Sequence, residues 1–584
     1  TRNRCSRENV IIRSRCQMQS KSNEMPDFSS IKYERPDLDA FRDSVRKVRL
    51  KLMTAKDVNT ASSALFDYER NLVLINTMFA LCNIMHDLDT SNDFYTNELA
   101  FCDEIEASVN DLAAGVFSVM LNCPCAKELR EKYGDMIFKK AINYKETISS
   151  EVIEDIVKES ALENEYSQIQ SEAIIMFNGK ELNLSMLEPY LESTDRNKRI
   201  KAHKALDDYY LSKKDDFDRI YDEMVKIRTQ IAKKLGYTSF TELGYKRMER
   251  YDYNRESVKV FRDNVVKYIV PLTSKIRELQ TNRLDLDELK FYDLPCLFSK
   301  GNPVPSISMD SYDKVSGEFF RRIFGVNPSF FDVLSEHGFT DLLSRKSKST
   351  GGYCMFLEEY AIPFIFMNGN GTADDVATIV HEGGHAYAAI KSAEVSPFSE
   401  CLSPTLETCE IHSTAMEFLS YPYMDMFYGD SANAYRELHM TNALLFLPYG
   451  CMVDEFQHEV YDNPDLKPDE RHEVWKRLEE KYQPFINYDN HPFHSNGGAW
   501  MKKSHIFTSP FYYIDYCLAQ ICALELWDES RLYAKSALFK YNILCESGGT
   551  DTFLSLLQKA GLSSPFDVDV FKKLAFSASD FLSL

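Results

Sequence analysis

From Pro26 to the C-terminus, apolar residues return every three or four positions with charged residues between them, as in LDAFRDSVRKVRLKLM (38–53) and DDFDRIYDEMVKIRTQIAKKL (215–235). That period belongs to long amphipathic helices, each burying one stripe, so the chain is expected to be mostly α. At 584 residues and 44% apolar it buries a large core but exceeds one compact unit, which predicts two or more packed lobes. Breaks fall at LESTDRNKR (191–199), GNPVPS (301–306), SRKSKSTGG (344–352) and YDNPDLKPDE (461–470). The first is taken as the boundary between an N-terminal helical lobe, 25–195, and a catalytic domain, 196–584. Residues 1–24 are arginine-rich and acid-poor, as a transit peptide or vector-derived leader would be, and Met25 offers a natural start.

Several classes are excluded. A formal net charge of −21 repels a phosphate backbone, so nucleic acid is not an expected partner. The longest apolar stretch, LVLINTMFALCNIM (72–85), is interrupted by polar residues and falls short of the roughly 20 residues of a membrane span, so it reads as a core helix and no membrane is expected. Fourteen scattered cysteines, of which only Cys123 and Cys125 are close, lack both metal and disulfide spacing. Buried thiols in a reducing cytoplasm account for them. No motif encodes an oligomeric state.

The signal changes around 353–368. YCMFLEEYAIPFIFMN is aromatic and aliphatic and runs into NGNGT, which predicts a short strand or hairpin beside the next segment. There, Thr372 and Asp375 form a capping-box pattern ahead of a helix whose buried face is Val376, Ile379 and Val380. This helix carries HEGGHA (381–386). His381 and His385, four apart, lie on one face and can share an ion, while Glu382 occupies the position from which a carboxylate takes a proton from metal-activated water. Gly383 and Gly384 each cost on the order of 0.5–1 kcal/mol in a helix interior relative to alanine, which predicts the close approach of another backbone or helix.

With twelve histidines, HExxH arises by chance at roughly a few per cent, so a third ligand is needed to make the case. TLETCEIHSTAMEF (405–418) puts Glu407, Glu410, Ser413 and Glu417 on one helical face, a pattern that an ordinary solvated stripe shares. Glu410 is the expected ligand. His412, turned by about 200° from it, is structural, and Glu407 and Glu417 are candidates to orient a metal-bound imidazole. Further on, HIFTSPFYYIDYCLAQ places His505 ahead of Tyr512, Tyr513 and Tyr516. Such rings serve equally as core aromatics or as donors to a developing oxyanion, worth ~3 kcal/mol each in the second role.

HEGGHA, Glu410 within EIHSTAME and HIFTSPFYYIDY together resemble the zinc oligopeptidases of the oligoendopeptidase F and thimet oligopeptidase family, with the oligoendopeptidase F branch nearest. STDRNKR, KKLGYTSFTELGYKRMERYDY, GNPVP, LLSRKSKSTGGYC and PFIFMNGNGT extend the likeness from about residue 30 to the end. The resemblance implies a two-lobed helical zinc peptidase with a deep central channel and a small β-sheet next to the HExxH helix, holding one zinc per chain. It implies His381, His385 and Glu410 as ligands, Glu382 as general base, and His505 with Tyr516, and Tyr513 beside them, at the oxyanion. Substrate contacts are implied at Gly352, Tyr353, Met367, Asn368 and Tyr512, with PFIFMN as an edge strand along which an extended peptide lies. The expected activity is hydrolysis of internal bonds in short, unstructured oligopeptides. Its rivals are a helical zinc carboxypeptidase and a catalytically silent peptide-binding protein. One departure is that both residues inside HExxH are glycine, where the first is commonly larger.

Overall fold

The structure, a computed structural model, describes residues 25–149 and 151–584; the expected leader lies outside the described residues. In chain order, the elements that matter here are α1 (Leu38–Met53), α2 (Val58–Leu88), α3 (Asp93–Asn122), α4 (Ile153–Ser171), the hairpin β1 (Ile175–Phe177) and β2 (Lys180–Leu182), α5 (Arg196–Ser212), α6 (Lys214–Lys234), α7 (Phe240–Arg247) and α8 (Tyr312–Phe324). There follow β3 (Thr340–Leu343), β4 (Tyr353–Leu357), β5 (Ile362–Gly369), α9 (Ala373–Val395), α10 (Leu406–Leu419), α11 (Ala432–Asp462), α12 (Pro468–Tyr482) and α13 (Tyr513–Ser547). The expectation of a mostly helical chain holds.

Two compact units form, and neither is continuous in sequence. The first gathers 25–145, 304–432 and 522–563; the second gathers 146–303, 433–521 and 564–584. This differs from the single boundary expected at 195/196. The polar 191–199 segment lies inside the second unit, where Arg196 and Arg199 grip the buried Asp293 carboxylate at 2.7 and 2.8 Å. A crossing between units falls instead within GNPVPS, after Pro303.

In the first unit α1 buries Phe41, Val45, Val48 and Leu52, the stripe read from its sequence, against α2 and α3. Asp37, Asp57 and Asn92 cap the three helices by accepting backbone N–H bonds. The 72–85 stretch lies within α2, with Leu72, Val73, Ile75, Leu81, Cys82 and Ile84 buried. No single helix among the described residues is long and apolar enough to cross a membrane; α3 and Ala126–Tyr133, bent by 104°, reach that composition only as a pair. None of the twelve described cysteines forms a disulfide.

In the second unit α6 buries Phe217, Ile220, Tyr221, Met224 and Val225, and the same face carries Arg228. Its buried guanidinium is paired with Glu159 (2.6 Å) and Glu163 (2.9 Å) of α4 and bonded to Tyr461 of α11 at 3.0 Å. An unpaired charge there would be costly, which explains the carboxylates on the facing helix. Helix α5 packs on the β1–β2 hairpin, whose turn is Asn178-Gly179, both with positive φ (51° and 76°). Such an Asn-Gly turn between apolar positions is a hairpin signal that the sequence reading passed over.

The strand pair expected near 353–368 exists, with an unforeseen partner. β5 lies in the middle of a three-stranded sheet, parallel to β3 (Thr340 opposite Ile365) and antiparallel to β4 (Tyr353 opposite Phe366). The PFIFMN segment is therefore a central strand and not the expected edge. Its unbroken apolar run suits burial on both faces, and Pro363 precedes the part paired on both sides, so its missing N–H costs no ladder bond.

Candidate metal centre

Helix α9 packs on β4 and β5 and against α10. Thr372 occupies its N-cap position, yet its side chain makes no capping bond. Asp375 does different work from the expected capping box. Its carboxylate accepts from the N–H groups of Asn370 (3.0 Å) and Gly371 (2.7 Å) and from the Tyr312 hydroxyl (2.8 Å), pinning the loop from β5 into α9. Val376, Ile379 and Val380 are buried as expected.

The glycine pair acquires a reason here. A Cβ at Gly384 would lie 2.5 Å from the His412 carbonyl oxygen and 2.9 Å from Ser413 Cα, both backbone atoms of α10. One at Gly383 would lie 2.3 Å from Cζ of Phe320, a buried ring of α8. The first glycine makes room for a side chain and the second lets α10 press its backbone against α9. The Tyr541 hydroxyl, donating to the His412 carbonyl at 2.9 Å, holds α10 from another direction. Phe320 and Tyr541 were not found by sequence reasoning, since nothing local links them to HEGGHA.

That close approach brings three ligand atoms together. The Nε2 atoms of His381 and His385 lie 3.6 and 3.8 Å from the same oxygen, Oε2 of Glu410, and the ligand atoms of the three residues fall within 4.8 Å of one another. Bonds of zinc to nitrogen and oxygen at tetrahedral angles put ligand atoms about 3.3–3.4 Å apart, so the donor set fits that ion with small adjustments and leaves a fourth position. It is the one such group among the described residues. Ser413 donates to Glu410 Oε2 at 3.2 Å, fixing the carboxylate. Glu417 Oε1 accepts from His381 Nδ1 at 2.6 Å, which commits Nε2 to the ligand role. Of the two carboxylates expected to orient an imidazole, Glu417 thus touches His381, and Glu407 lies buried one turn before Glu410 beside Cys522.

The electrostatics favour a cation. Burial opposes a charge on His381, but the carboxylates of Glu410 and Glu417 overcome it and raise its pKa well above the usual value. Groups that stabilise an imidazolium stabilise a dication in its place. Burial and the His381 charge push His385 down to about 4, which keeps it a neutral imidazole, as a ligand must be. Burial also raises Glu382 to about 7, with Glu410 and Glu417 adding like charge. His412 is buried and pushed down to about 3, in keeping with a structural role.

Strand β4 lies beside this helix: the Cys354 thiol is pushed up by burial and by the Glu382 charge. Gly352 precedes β4 and faces Thr378 of α9, whose Cγ2 would be 3.0 Å from an added Cβ, and Tyr353 stacks on Phe366 at 4.8 Å. Met367 and Asn368 belong to the central strand. The Met367 carbonyl accepts from the buried Lys348, which also bonds Asp341 (2.6 Å) and the Leu343 carbonyl (3.0 Å), while the Asn368 amide holds the carbonyls of Ser349 (2.6 Å) and Gly351 (3.0 Å). Both therefore shape the 344–352 loop, just past Phe366, where the pairing of β5 with β4 ends.

His505, Tyr512, Tyr513 and Tyr516 form one cluster in the second unit. Ring centroids lie 4.9 Å apart for His505–Tyr513, 5.9 Å for His505–Tyr512 and 6.0 Å for His505–Tyr516. Tyr513 is buried, and Tyr512 and Tyr516 are half-buried. The cluster hangs from an elbow at Phe511, which holds φ +68°, rare for a bulky residue. Its N–H donates to Gln457 and its carbonyl accepts from Arg250, which also pairs with Asp515 at 2.8 Å. Its ring fills the space at Gly244 of α7, where a Cβ would meet it at 2.5 Å. The sequence carried no signal for this elbow.

Comparison with known proteins agrees with this geometry. Residues 189–576 match the family model for peptidase family M3, and residues 28–148 match that for the peptidase M3 N-terminal domain. Oligopeptidase PepF of Bacillus subtilis (strain 168) is 21% identical over 617 aligned residues, covering 95% of this chain and 88% of that protein. The structure of Pz peptidase A with an inhibitor superposes with a TM-score of 0.90 at 38% identity, over 95% of this chain and 99% of that one. A provisionally named oligoendopeptidase F from Bacillus anthracis str. Ames gives a TM-score of 0.85 at 36% identity, over 95% and 98%. A family model spanning most of the chain, and relatives aligned along nearly its whole length, carry the same conclusion as the His–His–Glu constellation: this chain belongs to peptidase family M3.

Proposed function

We propose that this peptidase is a zinc-dependent endopeptidase that hydrolyses internal bonds of short, unstructured oligopeptides. The observation that carries the reading is the convergence of His381 and His385 of α9 with Glu410 of α10 within 4.8 Å, beside the buried Glu382 that follows His381. His381, His385 and Glu410 would hold the ion, which when bound would supply Lewis acidity and lower the pKa of a water to about 7. Glu382, buried beside His381, would take the proton from the attacking water and hand it to the leaving amine.

His505 and Tyr516 donate hydrogen bonds to the carbonyl oxygen as it gains negative charge, with Tyr513 supporting the His505 ring; their mutual ring contacts and the family resemblance support this assignment. The extended peptide adds to the outer edge of β4, the strand beside Glu382, with Gly352 and Tyr353 at its start and Tyr512 as a further contact. A reducing cytoplasm fits the absence of disulfides among the described cysteines.

The test is Glu382→Gln assayed on an internally quenched peptide blocked at both ends. The variant is expected to retain one zinc and lose nearly all turnover, while the wild type cuts the blocked peptide. Undiminished turnover in the variant would remove Glu382 from its role, and failure of the wild type to cut a C-terminally blocked peptide that it cuts when unblocked would make it a carboxypeptidase.

A further inference from the structure

The chain carries 89 acidic against 68 basic side chains, so a cation near a site usually finds a carboxylate. Lys502 does, pairing with Asp207. Lys503, two residues before His505, does not. Its ammonium lies 4.0 Å from the centre of the Tyr513 ring and 6.0 Å from that of Tyr449, and among the described residues it has neither a hydrogen bond nor an ion pair. The side chain is half-buried, and desolvation with no compensating charge pulls its pKa down to about 8. A ring face offsets part of the cost of removing an ammonium from water, but it supplies no protein acceptor for the three N–H donors, which face water on the open side. A partly desolvated cation that no protein carboxylate pairs, yet that solvent reaches, is open to an anion that arrives from outside. Tyr513 also neighbours His505, at 4.9 Å between ring centroids, and Tyr516, at 5.8 Å, so the cation stands one ring away from the donors assigned to the oxyanion.

We propose that Lys503, framed by Tyr449 and Tyr513, binds a carboxylate of the peptide close to the scissile bond. The chain then favours peptides that carry an acidic side chain or a free C-terminus there, against the sign of its own net charge. This rests on the reading that His505 and Tyr516 face the scissile carbonyl. At about 3.3 Å per residue of extended peptide, the carboxylate belongs to a residue within about two positions of the bond that is cut.

The experiment uses quenched peptides of one neutral sequence in which each of the two positions on either side of the cleaved bond is Gln or Glu. A further pair ends two residues beyond that bond in a free carboxylate or an amide. KM and kcat are measured on the zinc-loaded wild type, Lys503→Met and Lys503→Arg. Dissociation constants for the same peptides are measured by anisotropy on zinc-loaded Glu382→Gln with and without Lys503→Met.

At least one carboxylate-bearing peptide is expected to show a KM and Kd about tenfold lower than its neutral partner. The ratio should fall to about one in Lys503→Met and be largely kept in Lys503→Arg. The Glu/Gln arms and the acid/amide pair say which carboxylate is bound. The proposal is overturned if no carboxylate peptide binds better than its partner to the wild type, or if the ratio survives in Lys503→Met. Should turnover be absent altogether, the endopeptidase reading fails, while the Kd ratios still decide the role of Lys503.

Discussion

Alanine at Gly384 would place a methyl group 2.5 Å from the His412 carbonyl oxygen and 2.9 Å from Ser413 Cα, and neither backbone atom can swing aside as a side chain can. Restoring an ordinary contact of about 3.4 Å requires α9 and α10 to part by roughly 0.9 Å at this level, since packed interiors hold no slack. Fold stability changes little: overpacking costs about 1–3 kcal/mol, and the better helix propensity of alanine returns about 1. The metal centre suffers more. His381 and His385 ride on α9 and Glu410 on α10, whereas ligand distances tolerate about 0.2 Å.

Gly384→Ala is therefore expected to weaken zinc binding by at least the 10–100-fold typical of disturbed ligand supports and to lower kcat/KM in step, with only a modest fall in Tm. Competition against a chromophoric chelator, with thermal melts alongside, measures both. Gly383→Ala is the control: its methyl meets the tip of the Phe320 ring, a side chain of α8, which carries none of the three metal-site residues, so zinc affinity should fall less. Wild-type zinc affinity and activity in Gly384→Ala would refute the claim that this contact sets the ligand geometry.

Glu417→Gln should weaken zinc binding by about 10–100-fold without unfolding the chain, because the His381 Nδ1 proton loses a charged acceptor at 2.6 Å; the same chelator competition checks it. Gly244→Ala should dislodge the Phe511 ring and lower kcat while leaving zinc content unchanged, which metal analysis and kinetics separate. Asp207 is buried, which raises its pKa, but the charge of Lys502 and the bond from His494 at 3.1 Å outweigh this and hold it below the usual range. Its contribution to stability is therefore full above the unfolded value of about 3.9 and is lost as pH falls through and below it. The Tm gap between wild type and Asp207→Asn should accordingly narrow as pH drops from about 5 to about 3, and a gap that widens instead would contradict the sign.

Local periodicity carried the parts of the fold that depend on one element at a time. The buried stripes of α1 and α6, the apolar face of α9 and the His–Glu–His spacing are all written within a few turns of helix. The candidate third ligand was legible because Glu410 sits on the next strongly patterned helix. What escaped is what other segments decide. β5 took a central place because β3 came to its far edge, and no pattern inside PFIFMN specifies that neighbour. The discontinuous units, Phe320 against Gly383, and the Phe511 elbow under Gly244 are contacts between distant stretches. Thr372 and Asp375 show the converse: the capping pattern was present, and the N–H groups of Asn370 and Gly371 claimed the carboxylate first. The Asn178-Gly179 hairpin was readable and was missed.

Diffraction from crystals grown with zinc, recorded on both sides of the zinc absorption edge, tests the central claim most directly. One anomalous peak is expected per chain, about 2.0–2.2 Å from Nε2 of His381, Nε2 of His385 and Oε2 of Glu410. Zinc bound elsewhere, with those three side chains holding no ion, would contradict it.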